Sequence, residues 1–246
     1  MPVTPSAQAI NELAPTGALR AAINMGNFLL VTGKDPSGDP SGVSPDIAAA
    51  LAARLGVPVT YVPYAKPGEL ADDAEKNLWD IGNIGAEPQR AEKIAFTAAY
   101  CEIEATYLVP PGSPIRALSE VDRTGRRIDV TARSAYCLWL ENNLKNAQLI
   151  QFNSADEAVR RFLDDGVDAY AGLRPGLLSL VENHPGARIL DGQFAAVQQA
   201  VGTPRKNAAG FAFLRDFVEE AKRSGLVASL IKRHGVEGRL SVAPPA

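Results

Sequence analysis

Apolar residues recur along much of the chain at a spacing that predicts amphipathic helices. In the segment "SPDIAAALAARLG", Ile47, Leu51 and Leu55 recur every four residues and form one apolar stripe. Ser44 precedes this stripe and is predicted to cap the helix, and Gly56 is predicted to end it. A stripe of this kind needs another layer of structure to pack against.

Short apolar runs, predicted to be strands, alternate with these helices. This alternation predicts an α/β fold with mostly parallel sheets and helices on both faces. The cluster "VPPGSP" at 109–114 is the first predicted domain crossing, and the tail "SVAPPA" at 241–246 is predicted to be disordered. The predicted strands lie at 19–24, 57–64, 80–85, 103–109, 126–131, 147–152, 167–172, 187–190 and 195–204, and the predicted helices at 44–56, 68–78, 88–93, 134–144, 154–166, 174–183, 207–223 and 226–234.

The composition of the chain limits the kinds of binding partner that are expected. The chain has 246 residues and a net charge of −3, with no basic stripe, so we expect no nucleic-acid partner. It has no run of about 18 apolar residues, so no membrane-crossing segment is predicted. The two cysteines, Cys101 and Cys137, are predicted to be small buried residues, and no motif indicates a metal or a cofactor. The first residues lack the pattern of a signal peptide, so we expect either a cytoplasmic protein or a periplasmic one whose signal was removed.

Three arginines share one kind of position. Arg90, Arg133 and Arg174 each follow a predicted strand and lie at the start of a predicted helix. In open α/β sheets this edge binds ligands, and a guanidinium there offers fork-shaped donors to a carboxylate. Surface arginines are common in such loops, so a solvated side chain remains the alternative for each of them.

Aromatic residues fall near the same strand ends. Phe28 directly follows the first strand, where its ring would be able to stack on a ligand, and Tyr100 lies near another strand end. Tyr136 and Trp139 are three residues apart on a predicted helix, so at least one of them is expected in the core.

Several segments, taken in their order along the chain, together resemble one protein family. "LAPTGALRAAIN", "SGVSPDIAAALAARLGVPVTYVPY", "WDIGNIGAEPQRAEKIAFTAAY", "GRRIDVTARSAYCLWL" and "DGVDAYAGLRP" are similar to the family 3 extracellular solute-binding proteins, the periplasmic components of polar amino acid ABC importers. The resemblance covers about 17–234. It implies two α/β lobes of the type II periplasmic-binding-protein fold, with hinge strands near 105–111 and 196–202 and a ligand bound by hinge closure in the cleft between the lobes. The implied lobes are 1–109 with 199–246, and 110–198.

The resemblance also implies partners and site residues. It implies a monomer that binds a small carboxylate-bearing molecule and delivers it to a membrane permease. Arg90 matches the arginine before "IAFT" that binds the ligand carboxylate in the family. Arg133, Ser134 and Ala135 match the start of the first helix of the second lobe, and Phe28 is nearest to the covering aromatic residue. The remaining candidate ligand contacts are Asn27, Gly85, Glu87, Tyr100, Glu104 and Arg174.

The sequence departs from the family at the acid that pairs with the ligand ammonium. After "VDAYAG" this chain has Leu173 and Arg174 where an aspartate is common. A buried ammonium without a paired anion is costly, so this departure implies an organic acid or an atypical amino acid as ligand. Glu87, Glu102 and Glu104 are the alternative partners for an ammonium.

Two other functions fit the same resemblance. Cyclohexadienyl dehydratases are similar to this family and eliminate water and a carboxylate from prephenate-like substrates. That reaction needs a general acid, for which Glu87 and Glu104 are the candidates. A ligand-sensing module is the third possibility. The first expectation is a binding protein that is not an enzyme, with no catalytic residue.

Overall fold

The computed structural model describes residues 3–164 and 166–246, and the chain folds into two compact units. Unit 1 comprises Met1–Glu102 and Gln198–Ala246, and unit 2 comprises Ile103–Val197. The chain passes from one unit to the other inside two long strands. The lobe boundaries and hinge strands expected from the sequence stay predictions.

Helices and strands alternate along the described chain, as the sequence pattern predicts. The helices are α1 (Ala7–Leu13), α2 (Val43–Leu55), α3 (Pro67–Asp72), α4 (Pro88–Ala91), α5 (Ala135–Asn143), α6 (Ala155–Asp164), α7 (Arg174–Asn183), α8 (Ala208–Arg223) and α9 (Leu226–Arg233). The strands are β1 (Leu19–Asn24), β2 (Gly33–Lys34), β3 (Pro40–Ser41), β4 (Val59–Tyr64), β5 (Ile81–Gly85), β6 (Ile94–Val109), β7 (Arg127–Thr131), β8 (Gln148–Phe152), β9 (Ala169–Leu173), β10 (Arg188–Ile189), β11 (Ala195–Pro204) and β12 (Ser241–Val242).

The sheet of unit 1 places β1 between β4 and β5, all three parallel. β11 closes on β5 in the antiparallel sense, with Val201 opposite Asn83. A cluster of buried apolar residues lies on this sheet and includes Leu70, Trp79 and Ile84. The carboxyl ends of β1 and β5 therefore lie at the same edge of the sheet.

The N-cap of α2 lies two residues before the predicted one. Its N-cap is Gly42 rather than Ser44, whose side chain is buried inside the first turn. A β-carbon on Gly42 would lie 2.2 Å from the carbonyl oxygen of Leu30, so the close approach of that loop requires glycine. The predicted end is confirmed, because Gly56 adopts the left-handed conformation at the C-cap.

The sheet of unit 2 repeats the arrangement of unit 1. β7 lies between β8 and β9 and is parallel to both, and the second half of β6 pairs with β9 in the antiparallel sense. Ser134 caps α5, as predicted, by accepting a hydrogen bond of 3.1 Å from the backbone N–H of Cys137. Both cysteines are buried and free, in agreement with their predicted burial.

Three further sequence-based predictions are wrong. α3 ends at Asp72 rather than 78, and β6 begins at Ile94 rather than 103. The tail predicted to be disordered forms β12, in which Val242 pairs with Cys101 of β6. Backbone hydrogen bonds to β6 order the start of this proline-rich segment. A prediction from local composition takes no account of such a tertiary contact.

Candidate functional site

The loops that follow β1 and β5 carry the candidate residues of unit 1. β1 ends at Asn24 and β5 ends at Gly85, and the register that pairs Ile23 with Asn83 brings the two ends level. Phe28 lies in the loop after β1, and Arg90 lies in α4 after β5. Neighbouring strands are about 4.8 Å apart, so these two loops emerge side by side.

Arg90 is a buried cation whose orientation is fixed by the backbone. Its side chain and backbone are only 5% exposed. Nη1 donates a hydrogen bond of 2.8 Å to the carbonyl oxygen of Gly85, and the backbone N–H donates to the carbonyl of Glu87 at 3.0 Å. A guanidinium carries five N–H donors in a rigid fork, so anchoring one of them sets the direction of the others.

Glu87 lies at the N-cap of α4 and is 8% exposed. Its burial raises the pKa of the carboxyl group to about 7, and the positive charge of Arg90 opposes that rise. Near neutral pH this carboxyl is therefore divided between its neutral and charged forms. The group next to the candidate carboxylate-binding arginine can exchange a proton in the physiological range.

Asn27 and Phe28 have different roles in the loop after β1. Asn27 is buried, and its Oδ1 accepts hydrogen bonds from the backbone N–H groups of Leu29 and Leu30 at 3.2 and 3.3 Å. It therefore shapes the loop. Phe28 is 47% exposed, and Cζ of Arg239 lies 5.6 Å from the centroid of its ring. The sequence did not point to Arg239, because a contact between such distant segments leaves no local pattern.

Tyr100 lies inside unit 1 rather than at its surface. It is fully buried, and burial raises the pKa of its hydroxyl well above the usual value. Gly85, by contrast, contributes its carbonyl oxygen to the Arg90 contact. Of the candidates in unit 1, the structure brings together Gly85, Glu87 and Arg90 on one strand–helix connection.

In unit 2, three candidates lie on the connection between β7 and α5. Ser134 Oγ donates a hydrogen bond of 2.8 Å to the carbonyl of Thr131, and Ala135 is buried. Arg133 is exposed and has a φ of +59°, in the left-handed region. That conformation is costly for a residue with a β-carbon, so the local backbone favours glycine here.

Arg174 is held by groups of its own unit. Its Nε donates a hydrogen bond of 2.5 Å to Oε2 of Glu104. Its Nη2 donates to the carbonyl oxygens of Leu190, at 3.5 Å, and Gly192. Two of the candidates named from the sequence thus pair with each other. The third candidate acid, Glu102, accepts a hydrogen bond of 2.9 Å from Nε2 of Gln198 in unit 1.

A depression of about 490 Å³ lies at the opposite edge of the unit 1 sheet, near the amino ends of β1 and β5. The ion pair of Arg20 and Asp80 forms part of its wall, with distances of 3.0 Å from Nε to Oδ2 and 2.7 Å from Nη2 to Oδ1. Asp80 is 3% exposed and also accepts from the backbone N–H of Arg20 at 2.9 Å. These bonds tie two strands together, which indicates a structural role.

Two further features bear on the classes of function. No helix within residues 3–164 and 166–246 combines the length and apolarity that a membrane span requires. Nor do those residues contain a group of three or more His, Cys, Asp and Glu side chains placed to hold a metal ion.

Comparisons with known proteins agree with the architecture. A sequence profile for bacterial extracellular solute-binding proteins of family 3 matches residues 24–237. Among solved structures, a mutant of ArgBP from T. maritima superposes with a TM-score of 0.72 at 20% identity, covering 93% of this chain and 100% of that chain. AbpA from Streptococcus pneumoniae, an amino acid ABC transporter substrate-binding protein bound to L-arginine, gives 0.71 at 18% identity, with coverage of 90% and 96%.

A third solved structure is the ancestral amino acid-binding protein AncCDT-1, a precursor of cyclohexadienyl dehydratase. It superposes with a TM-score of 0.72 at 18% identity and covers 91% of this chain and 97% of that chain. A search of curated proteins finds no match. At these identities the likeness establishes the fold. The predicted α/β fold of the type II periplasmic-binding-protein kind is therefore confirmed.

Proposed function

Because the chain belongs to family 3 of the bacterial extracellular solute-binding proteins, we propose that it is the solute-binding component of an ABC-type importer and binds a small carboxylate-bearing ligand. The observation that carries this proposal is the buried Arg90. Its guanidinium is anchored on the Gly85 carbonyl at the carboxyl end of β5. Ligands of open α/β sheets bind at that edge, and a pre-oriented guanidinium loses little freedom on binding a carboxylate.

The class of ligand is inferred from the three acids that the sequence offers as partners for a ligand ammonium. Glu104, one candidate partner for a ligand ammonium, forms an ion pair with Arg174, and Glu102 accepts from Gln198. Glu87 has a pKa raised to about 7 and is a weak counterion at neutral pH. An α-ammonium would therefore lack a dedicated anion, which is costly in a buried site. These contacts support an organic acid or an atypical amino acid as the ligand.

The same proposal includes a membrane permease as partner and a periplasmic location. The family is described as extracellular, and AbpA is described as a component of an amino acid ABC transporter. Cells that lack this chain should lose high-affinity uptake of its ligand. Unchanged uptake at low ligand concentration would contradict the importer role.

A screen of ligands tests the chemical class. Molecules that co-purify with the protein are released by denaturation and identified by mass spectrometry. Thermal melting is then measured with dicarboxylates, aromatic acids and the standard amino acids. Dicarboxylates or aromatic acids should raise the melting temperature more than glutamate, glutamine or histidine. If a standard amino acid gives the largest rise, the assignment to an acid without an ammonium is wrong.

The pKa of Glu87 favours one alternative function. A buried carboxyl that is partly protonated near pH 7 meets the requirement for a general acid. In a dehydratase it would protonate a leaving hydroxyl, so that water departs while a ligand carboxylate leaves as carbon dioxide and its electrons form the new double bond. Incubation with prephenate, followed by ultraviolet absorbance, tests this. Turnover that Glu87→Gln abolishes would establish the enzyme, and absence of turnover would leave the binding function.

A further inference from the structure

The exposed ring of Phe28 has a cation over one of its faces. Cζ of Arg239 lies 5.6 Å from the ring centroid, a distance at which the negative face of an aromatic ring attracts a guanidinium. Arg239 belongs to the segment between α9 and β12, which is distant from Phe28 in the sequence. The contact therefore joins the candidate site to the end of the chain.

The segment that presents Arg239 is anchored on both sides. Val236 is 2% exposed and Leu240 is 7% exposed, so both side chains are buried in unit 1. The backbone N–H groups of Arg239 and Leu240 both donate to the carbonyl of Val236, at 3.1 and 3.2 Å. Arg239 itself is exposed, so a fixed turn presents a solvent-facing cation.

The loop that carries Phe28 and the helix that carries Arg90 follow neighbouring strands of the unit 1 sheet. Phe28 follows β1 and Arg90 follows β5, and these are adjacent parallel strands whose ends are level. Arg90 therefore lies on one of the two loops at this edge, and Arg239 contacts the ring of Phe28 on the other. Within the described ranges, no carboxylate lies at ion-pair distance from Arg239, and Glu87 is partly neutral near pH 7.

We propose that Arg239 is a specificity residue of the binding site, which selects ligands that carry a second anionic group and rejects ligands with a cationic side chain. The proposal rests on the proposed function, in which Arg90 binds one carboxylate, and it adds that the exposed ring of Phe28 contacts the same ligand. The guanidinium of Arg239 already occupies a face of the ring that would otherwise attract a ligand cation. A second carboxylate approaching Phe28 would meet the charge of Arg239 instead.

The sign of the charges decides between the two classes of ligand. A cationic ligand group near Phe28 would meet a like charge, which costs affinity, whereas an anionic group would gain a charge-assisted hydrogen bond. An exposed pair of this kind changes affinity by up to about fivefold at physiological salt and less at high salt. The effect should therefore appear as selectivity between ligands of different charge.

The experiment compares diacids with their own half-esters. Dissociation constants are measured by calorimetry for malonate, succinate and glutarate, for the monomethyl ester of each, and for L-arginine. The proteins are the wild type, Arg239→Gln and Arg223→Gln. Arg223 is an exposed arginine at the end of α8, so its variant matches the change in net charge. Arg239→Glu is added to reverse the charge.

In the wild type, the best diacid should bind at least threefold more tightly than its half-ester. Arg239→Gln should remove that preference and leave half-ester affinity within about twofold, whereas Arg223→Gln should keep it. Arg239→Glu should weaken diacids further and improve L-arginine relative to the wild type. If Arg239→Gln weakens diacid and half-ester equally, or if neither is affected, Arg239 is not a specificity residue although carboxylate binding stands. If the wild type binds neither these diacids nor their half-esters, the proposal for Arg239 fails, whereas the proposed function fails only if the ligand screen finds no carboxylate-bearing ligand.

Discussion

The guanidinium of Arg90 turns back onto the strand that precedes it. Nη1 donates a hydrogen bond of 2.8 Å to the carbonyl oxygen of Gly85, the last residue of β5. The contact joins the end of a central strand to the first helical turn after it. A side chain held in this way is pre-oriented, and a lysine would be able to replace its charge but not its fork of donors.

Glu87→Gln should change how stability depends on pH. The pKa of the Glu87 carboxyl is about 7 in the folded protein, above its ordinary value of 4.5, so the unfolded chain loses this proton first as pH rises. The contribution is fully favourable below about pH 4.5 and declines up to about pH 7, by roughly 3 kcal/mol at most. Urea denaturation at pH 5 and pH 8 should show that the variant lacks this decline. The exposed Glu92→Gln should behave like the wild type; a Glu87→Gln profile parallel to the wild type would contradict the raised pKa.

Ligand affinity should depend on the same proton. An anion bound at Arg90 is repelled by ionised Glu87, so binding favours the neutral carboxyl and should take up a proton above pH 7. The dissociation constant should rise by up to about tenfold per pH unit there. Calorimetry in buffers with different ionisation enthalpies measures the proton uptake directly. Glu87→Gln should bind without it, and proton uptake that persists in this variant would assign the proton to another group.

Asp80→Asn should destabilise the protein without affecting the ligand. The variant breaks the bidentate pair with Arg20 and leaves a partly buried guanidinium without its anion. We expect a loss of about 2–3 kcal/mol, or roughly 4–10 °C in melting temperature. Asp216→Asn, which breaks a pair with Arg215 that is about half exposed on both sides, should cost under about 1 kcal/mol. Equal losses would mean that the Arg20–Asp80 pair contributes no more than a surface contact.

Arg133→Gly should separate backbone strain from ligand contact. The φ of +59° at Arg133 suits glycine, so Arg133→Gly should have a free energy of unfolding about 0.5–1 kcal/mol above that of Arg133→Ala, which loses the same side chain but keeps the β-carbon. If the Arg133 side chain also binds the ligand, the stabilised variant should bind it at least about fivefold more weakly. Denaturation and calorimetry on one sample measure both quantities. An Arg133→Gly variant that is less stable than Arg133→Ala would contradict the strain.

The parts of the fold that follow from local pattern are the parts that the sequence predicts. The capping of α5 by Ser134 and the end of α2 at Gly56 depend only on neighbouring residues, and both are confirmed. The N-cap of α2 at Gly42 depends on the approach of Leu30, and the order of the tail depends on the pairing of Val242 with β6. Such tertiary contacts leave no periodic signal.

The sequence likewise predicts some features of the candidate site and not others. Arg90 follows from its place after a strand and from a family resemblance. Its burial and the raised pKa of Glu87 depend on packing that a sequence does not display. The pairing of Arg174 with Glu104 links two residues that the sequence offered as separate candidates.

The most direct test of the central claim is the affinity of Arg90 variants for the acid that stabilises the wild type best. Calorimetry compares the wild type with Arg90→Lys, Arg90→Gln and the control Arg223→Gln, an exposed arginine at the end of α8. Circular dichroism and melting confirm that each variant is folded. We predict that Arg90→Gln weakens binding by at least about 100-fold, because two charge-assisted hydrogen bonds are lost, and that Arg90→Lys restores it only in part. A folded Arg90→Gln that binds the acid as tightly as the Arg223→Gln control would contradict the account.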